Sequence, residues 1–450
     1  MIRSKKNHNK AKKVYMVVHN SVLKDARVLK ESRTLANAGF FVTIFGIGSK
    51  ERLEYELHKN IRVILCIEKV KIFRLPNFLS TVSQAIQKLS LKLFNLDISD
   101  HRFLNIERNV ARIKRLINNA FLFLIFGFGK VQEKNIYSSY KSTSDILFLE
   151  VLKHGKPDIL HLHDTISLVN IKNYREKFNC PIIWDAHEIY EELGASKKAL
   201  LINNQKIIKE ATKFIDAFIT INVSISKFYK TNYISLPKAT IIKNATNNIY
   251  LKKYDNRLHR KAELPSEKKI LLFQGGFAKD RGLEELIDAS RFLNDKWAVV
   301  MMGWGSLEEH LKILANKYNL IEQKKVSFIP PVEHKEITFW TQGATIGIIP
   351  YKNTGLNHLY CTPNKLWEYP VANVPILVSP LVELTNAVKN HKIGFLLDAS
   401  FDGKSIARVV NSITNQELNK ARENCRKYIL NDNWDIYGKR LIKLYKKLLK

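Results

Sequence analysis

Short apolar runs alternate with helix-patterned stretches along most of this chain, and after a polar interval the alternation starts a second time. Apolar runs of about four to eight residues suit buried strands better than helices. The first is KVYMVVHN at 13–20. It is followed by Asp25–Ala38, with Val28, Leu29 and Leu35 at helical spacing and Gly39 as a stop, and then by FFVTIFGIG. Strand, helix, glycine, strand is the βαβ rhythm of a doubly wound parallel sheet. It resumes with PDILHLHD (157–164), CPIIWDAHEIYEE (180–192), FIDAFITIN (214–222) and KATIIKN (238–244). The second series predicts strands at 269–274, 297–302, 325–330, 345–350, 375–379 and 394–398. Helices are predicted at 281–293, 306–319, 334–343, 363–371 and 383–391. Ligands of open α/β sheets sit beyond the C-terminal strand ends, so two such sheets facing each other enclose a cleft.

The expected division is a first domain over 13–245, a linker at 246–268, a second domain over 269–425 and a C-terminal helix at 426–450. A basic and apolar helical insertion is expected at about 76–141. Within it AFLFLIFGF (120–128) is too short to span a bilayer. The basic, apolar stretch at 116–130 suits either a membrane interface or the core. Length points the same way, since 450 residues exceed one ordinary domain. Cys66, Cys180, Cys361 and Cys425 are scattered without a CxxC pair, which disfavours a zinc site and a disulfide framework and fits a reducing compartment. Residues 1–13 are polar and basic, so no secretory leader is expected and the chain is read as cytoplasmic. A net charge of +31 suits anionic company, whether lipid headgroups or phosphorylated substrates. A lysine-rich solvated surface is the plain alternative.

The stretch YCTPNKLWEYPVANVPILVSP (360–380) holds the densest chemistry. Thr362 is expected as N-cap and Pro363 as the first helical residue. Asn364 and Lys365 then fall in a first turn that favours an anion, and Glu368 lies about one turn deeper. A diphosphate at the helix tip and ribose hydroxyls on the carboxylate would suit this pattern. In LLFQGGFAKDRGLEEL, Gly275 and Gly276 follow a strand and permit close approach by a ligand, and Arg281 opens the next helix, where a guanidinium can fork onto phosphate. Gly303 and Gly305 repeat the form, with a structural role favoured. Neither GxGxxG nor a P-loop is present. In the first domain His163 with Asp164, and His187 with Glu188, end two strands. His161 is expected on the opposite face from His163, as a packing histidine. These groups lack tight metal-ligand spacing, and no metal is expected.

Taken together, DARVLKES, ILHLHD, WDAHEIYEE, QGGFAKDRGLEEL, MGWGSL, CTPNKLWEYPVANVPILVS and GFLLD resemble, in order and spacing, the retaining GT-B glycosyltransferases of family 4 (group 1), bacterial branch. The resemblance implies an α/β GT-B fold: two Rossmann-like domains facing a central cleft, with a C-terminal helix crossing back to the first. It implies a nucleotide-sugar held by the second domain, an acceptor held by the first, retention of configuration, and no cofactor or metal. By position, Arg281 would stabilise the leaving diphosphate, with Lys365 and Asn364 beside it. Glu368 would bind the ribose, with Thr362, Pro363, Gly275, Gly276 and Gly303 lining the donor side. His163 would stand near the transferred sugar. Asp25, Asp164, His187 and Glu188 would line the acceptor side. Tyr360 stands where relatives carry a first glutamate, and the glycine pair replaces a basic residue.

The expected activity is transfer of a sugar to a glycan or lipid-linked acceptor in bacterial surface polysaccharide assembly, at the inner face of the plasma membrane. The partners expected are the nucleotide-sugar, that acceptor and an anionic membrane surface, without nucleic acid. A GT-B nucleotide-sugar epimerase and a non-catalytic polyanion- or membrane-binding protein are the alternatives.

Overall fold

The computed structural model describes residues 11–23, 25–49, 51–67, 128–193 and 198–450. Most of the expected insertion, including all of 116–130 except its last three residues, lies outside these. Among the described residues no helix is long and apolar enough to cross a membrane.

The first sheet contains β1 (Lys13–Val17), β2 (Phe41–Ser49), β3 (Leu53–His58), β4 (Ile61–Ile67), β5 (Ile159–His163), β6 (Ile182–Ala186), β7 (Ala217–Thr220) and β8 (Thr240–Ile241). Their order is β3-β4-β2-β1-β5-β6-β7-β8, and every pairing is parallel except the β3–β4 hairpin. Every residue of β5 and β6 is buried, as expected of parallel strands covered on both faces. The hairpin was not anticipated. LEYELH carries three charged or histidine side chains in six residues and lies half exposed at the sheet edge, so it lacks the apolar run that marks the other strands.

The second sheet contains β9 (Lys269–Gly276), β10 (Trp297–Trp304), β11 (Val326–Ile329), β12 (Ile346–Ile349), β13 (Ile376–Val378) and β14 (Gly394–Leu396). All are parallel, in the order β11-β10-β9-β12-β13-β14. Each of the six strands read from the sequence is present. The helix at 363–371 starts later than expected, at Lys365, and ends at Val371. Its N-cap position is Asn364, without a side-chain cap bond, so Thr362 does not cap it.

The final helix, Trp434–Leu448, returns to the first domain. Its Trp434 Nε1 donates to Thr34 Oγ1 at 2.8 Å, and Tyr445 Oη lies 2.7 Å from His161 Nδ1. Through it, the core on one face of the first sheet is continuous with that of the second domain. The other face of the first sheet has its own core around Trp184, Phe218 and Tyr229.

One packing contact positions the candidate site. Tyr369 is fully buried, donates to Leu272 O at 2.9 Å and accepts from the Gln274 N–H at 3.2 Å. Its ring lies flat against Gly347, where an added Cβ would meet Tyr369 Cδ1 at 2.2 Å. Gly347→Ala is expected to lower stability by about 1–3 kcal/mol, read as a fall in the urea midpoint at unchanged slope. An unchanged midpoint would mean that the ring yields without cost.

Candidate active site

On the second domain, Arg281 and Lys365 converge on one phenol. Arg281 Nη1 donates to Tyr351 Oη at 3.2 Å and Lys365 Nζ donates to the same oxygen at 3.0 Å. Among the described residues no carboxylate lies within 4.0 Å of either cation, so two positive charges share one neutral oxygen. Lys365 does not point outward from the helix tip, as a surface lysine would. It is 7% exposed and reaches inward over Gly275. Gly275 has φ +121°, a conformation that favours glycine, and a Cβ there would sit 2.8 Å from Lys365 Nζ and displace the ammonium. Gly276 is unobstructed, with Arg281 Nη1 3.9 Å from where its Cβ would be. Gly303 acts on the sheet instead. A Cβ there would stand 1.9 Å from Gly275 O, so its absence lets β9 and β10 approach.

Glu368 Oε2 accepts from Gln274 Nε2 at 2.8 Å, and Gln274 Oε1 accepts from Thr341 Oγ1 at 2.8 Å. That relay fixes one carboxylate oxygen and leaves the other for a ligand. Thr362, buried, meets Asn222 Nδ2 of the first domain at 3.3 Å, and Tyr360 O accepts from the same amide at 2.7 Å. Ile189 N–H donates to Asn357 Oδ1 at 3.0 Å. Thr362 and Tyr360 therefore fasten the two domains together. Pro363 is half-buried beside them, and Asn364 is exposed.

On the first domain, Asp25 caps the helix Ala26–Asn37, accepting from Val28 N–H at 3.0 Å and from Asn20 Nδ2 at 2.8 Å. It lines the cleft with both oxygens already engaged. Asp164, at φ +60°, accepts from Tyr190 Oη, and lies 3.5 Å from His187 Nδ1. Glu188 is exposed at the cleft rim.

His163 is corrected. Residues two apart on a strand share a face, so His161 and His163 point the same way, with rings stacked at 4.2 Å. Both are fully buried, beneath Asp185. Burial pushes His161 down to about 3 and holds His163 well below the ordinary histidine range, so both are neutral. The histidine that reaches the cleft is His187, with 18% of its side chain exposed.

Beneath His187 lies a group that sequence reasoning missed. Arg27 Nε and Nη2 donate to Asp185 at 2.9 and 3.1 Å, and Nε lies 3.1 Å from Glu31 Oε1. Glu31, His161, His163 and Asp185 are all buried, with ligand-type atoms within 4.8 Å of one another. The Arg27 guanidinium supplies the positive charge that holds the two carboxylates. Asp185 and Arg27 were legible only as parts of WDAHE and DARVLKES; nothing local in the sequence reports that they meet. Burial disfavours the His187 cation, but Asp185, 3.2 Å away, outweighs this and carries the imidazole up to about 9.

The two halves enclose a cavity of about 440 Å³, lined among others by Asp25, Arg27, Lys30, His187, Asn244 and Asn364. Arg281, Lys365 and Glu368 belong to the second domain and Asp164, His187 and Glu188 to the first; of these six, His187 lines the cavity.

This two-domain architecture is the GT-B fold of glycosyltransferases. Sucrose-phosphate synthase from Thermosynechococcus elongatus superposes with a TM-score of 0.68 at 14% identity, covering 97% of this chain and 99% of that one. Anabaena HepE, solved with UDP and glucose, gives 0.61 at 10%, covering 97% and 100%. WaaG, a glycosyltransferase involved in lipopolysaccharide biosynthesis, gives 0.61 at 12%, covering 95% and 98%. Residues 255–432 match the family model described as glycosyl transferases group 1. No curated protein matches the chain by sequence. The domain match and the fold together support a glycosyltransferase of the GT-B type.

A histidine raised above its unfolded value of about 6.5 contributes stability that is complete below that pH and is lost as pH rises through the folded value. His187→Gln should therefore be destabilised relative to wild type at about pH 6, and the gap should close by about pH 9.5. A gap independent of pH in paired urea titrations would refute the His187–Asp185 ion pair.

Proposed function

We propose that the protein transfers a sugar from a nucleotide-sugar to a glycan or lipid-linked acceptor with retention of configuration, in assembly of a bacterial surface polysaccharide. The observation that carries the reading is the meeting of Arg281 and Lys365 at Tyr351, beside Glu368 and, among the described residues, with no carboxylate within 4.0 Å of either cation. Two uncompensated cations next to a half-free carboxylate suit a diphosphate and the ribose attached to it. As the bond from the sugar C1 to the diphosphate oxygen breaks, negative charge grows on that oxygen. Cations already in place stabilise it without reorganisation. The acceptor hydroxyl enters from the first-domain bank, past His187 and Asp164. Solved GT-B relatives carrying UDP, or UDP with glucose, support the donor class. WaaG, with its part in lipopolysaccharide biosynthesis, supports the glycan setting. We further propose that Arg281, Lys365, Glu368 and Asn364 serve the donor and that Asp164, His187 and Glu188 serve the acceptor.

A thermal-shift panel of UDP, GDP, ADP, CMP and their sugars should give one nucleotide class that raises the melting temperature. No shift with any of them would sink the donor reading. With the matching donor, Arg281→Ala should lower turnover by about 10²–10³-fold, and an unchanged rate would remove Arg281 from the leaving-group role. The anomeric proton coupling of the product decides retention. Interconversion of the free nucleotide-sugar without acceptor would identify an epimerase instead.

A further inference from the structure

We infer that the acceptor bound by the first-domain half of the cleft carries an anionic group, phosphate or carboxylate, that pairs with Lys30. This rests on the transferase reading and names the class of acceptor that the site selects. Lys30 lies one turn into the helix Ala26–Asn37 and lines the cavity between the domains. Its Nζ donates to Ala245 O at 2.5 Å and lies 5.0 Å from the centre of the Trp434 ring, which fixes the ammonium in place. Among the described residues no carboxylate comes within 4.0 Å of it.

The other charges of the cavity wall are already engaged. Arg27 is taken up by Asp185 and Glu31, with its remaining bonds on Ile242 O and Asn244 Oδ1. Asp25 is taken up as a helix cap. His187 faces Asp185 and Asp164. Of the cations lining the cavity, Lys30 is the one that no carboxylate among the described residues approaches within 4.0 Å, and its surroundings register this. Burial, and then the neighbouring Arg27, push it down to about 8, while Glu368 and Glu31 offset only part of the effect. An ammonium in that state gains from any anion brought within reach, and a neutral sugar hydroxyl gives it nothing comparable. The neighbouring groups are of the kind that surrounds a phosphate or carboxylate. With Asn244 Oδ1 taken by Arg27, its amide N–H groups remain, and Ser21 and Asn364 complete the rim.

The test uses calorimetry on the full chain loaded with the nucleotide that the thermal-shift panel selects. Glucose 6-phosphate, glucuronate and glucose are the probes. At least one of the two anions should bind about tenfold or more tightly than glucose, and the better of them assigns phosphate or carboxylate. Lys30→Met should abolish that preference, and Lys30→Arg should keep most of it, while both retain the wild-type nucleotide affinity. Equal binding of glucose and both anions, no anion binding at all, or an undiminished preference in Lys30→Met would overturn the inference. If wild-type protein binds no nucleotide, the donor reading falls and this one falls with it. Intact nucleotide binding without an anion preference rejects this one alone.

Discussion

A guanidinium with almost no access to water holds the first half of the molecule in register. Arg27 reaches from the helix after β1 to Asp185 on β6, and its other nitrogen ties Ile242 O and Asn244 where the chain leaves the first sheet. Three segments distant in sequence thus share one cation. The arrangement is obligatory once built, since removing one partner of a buried pair costs about 3–5 kcal/mol by stranding the other. Burial pushes the Glu31 carboxyl upward in spite of Arg27, whereas at Asp185 burial is outweighed by Arg27 and then His187, which hold it well below the ordinary carboxylate range. His187 and Lys30 inherit their positions from this group, one above Asp185 and the other one turn along the same helix.

The second half is organised by backbone proximity. Gly303 lets β10 lie against Gly275, and Gly275 in turn leaves room for the Lys365 ammonium. The lysine then shares the Tyr351 hydroxyl with Arg281. Charge is concentrated where the strands end, and among the described residues no carboxylate lies within 4.0 Å of it. The Glu368–Gln274–Thr341 relay is fastened to the same strand end, so the carboxylate and the cations keep a fixed separation.

Much of this was legible. Strands buried on both faces announce themselves as apolar runs, and Arg281, Lys365 and Glu368 follow from residue type at a strand end or helix start. What escaped was whatever depends on partners far away in sequence. Tyr351 follows an ordinary strand, and only the fold brings two cations to it. Nothing local sets Arg27 apart from Lys30 and Arg33 on the same helix. Thr362 carries a good capping side chain, but its hydroxyl is turned to Asn222 across the domain boundary, so local propensity lost to a tertiary contact. His161 was put on the wrong face by an error of strand periodicity, and His163, placed at the cleft because it ends a strand, is buried with it, which leaves His187 as the imidazole at the cleft. Strand β3 was missed because an exposed edge strand carries a charged pattern, whereas β4 is a buried apolar run that went unread beside it.

The chain passes between its two halves twice, once after β8 and once on entering the last helix. The passages run side by side: Trp434 N–H donates to Thr246 O at 2.8 Å, and Lys243 Nζ lies 2.7 Å from Asp432 Oδ2. The contacts of Asn222 and Ile189 with the 357–362 loop form a second fastening between the halves. The two fastenings differ in kind: at the first the backbone itself crosses, whereas at the second hydrogen bonds alone cross and can be exchanged for others without a break in the chain.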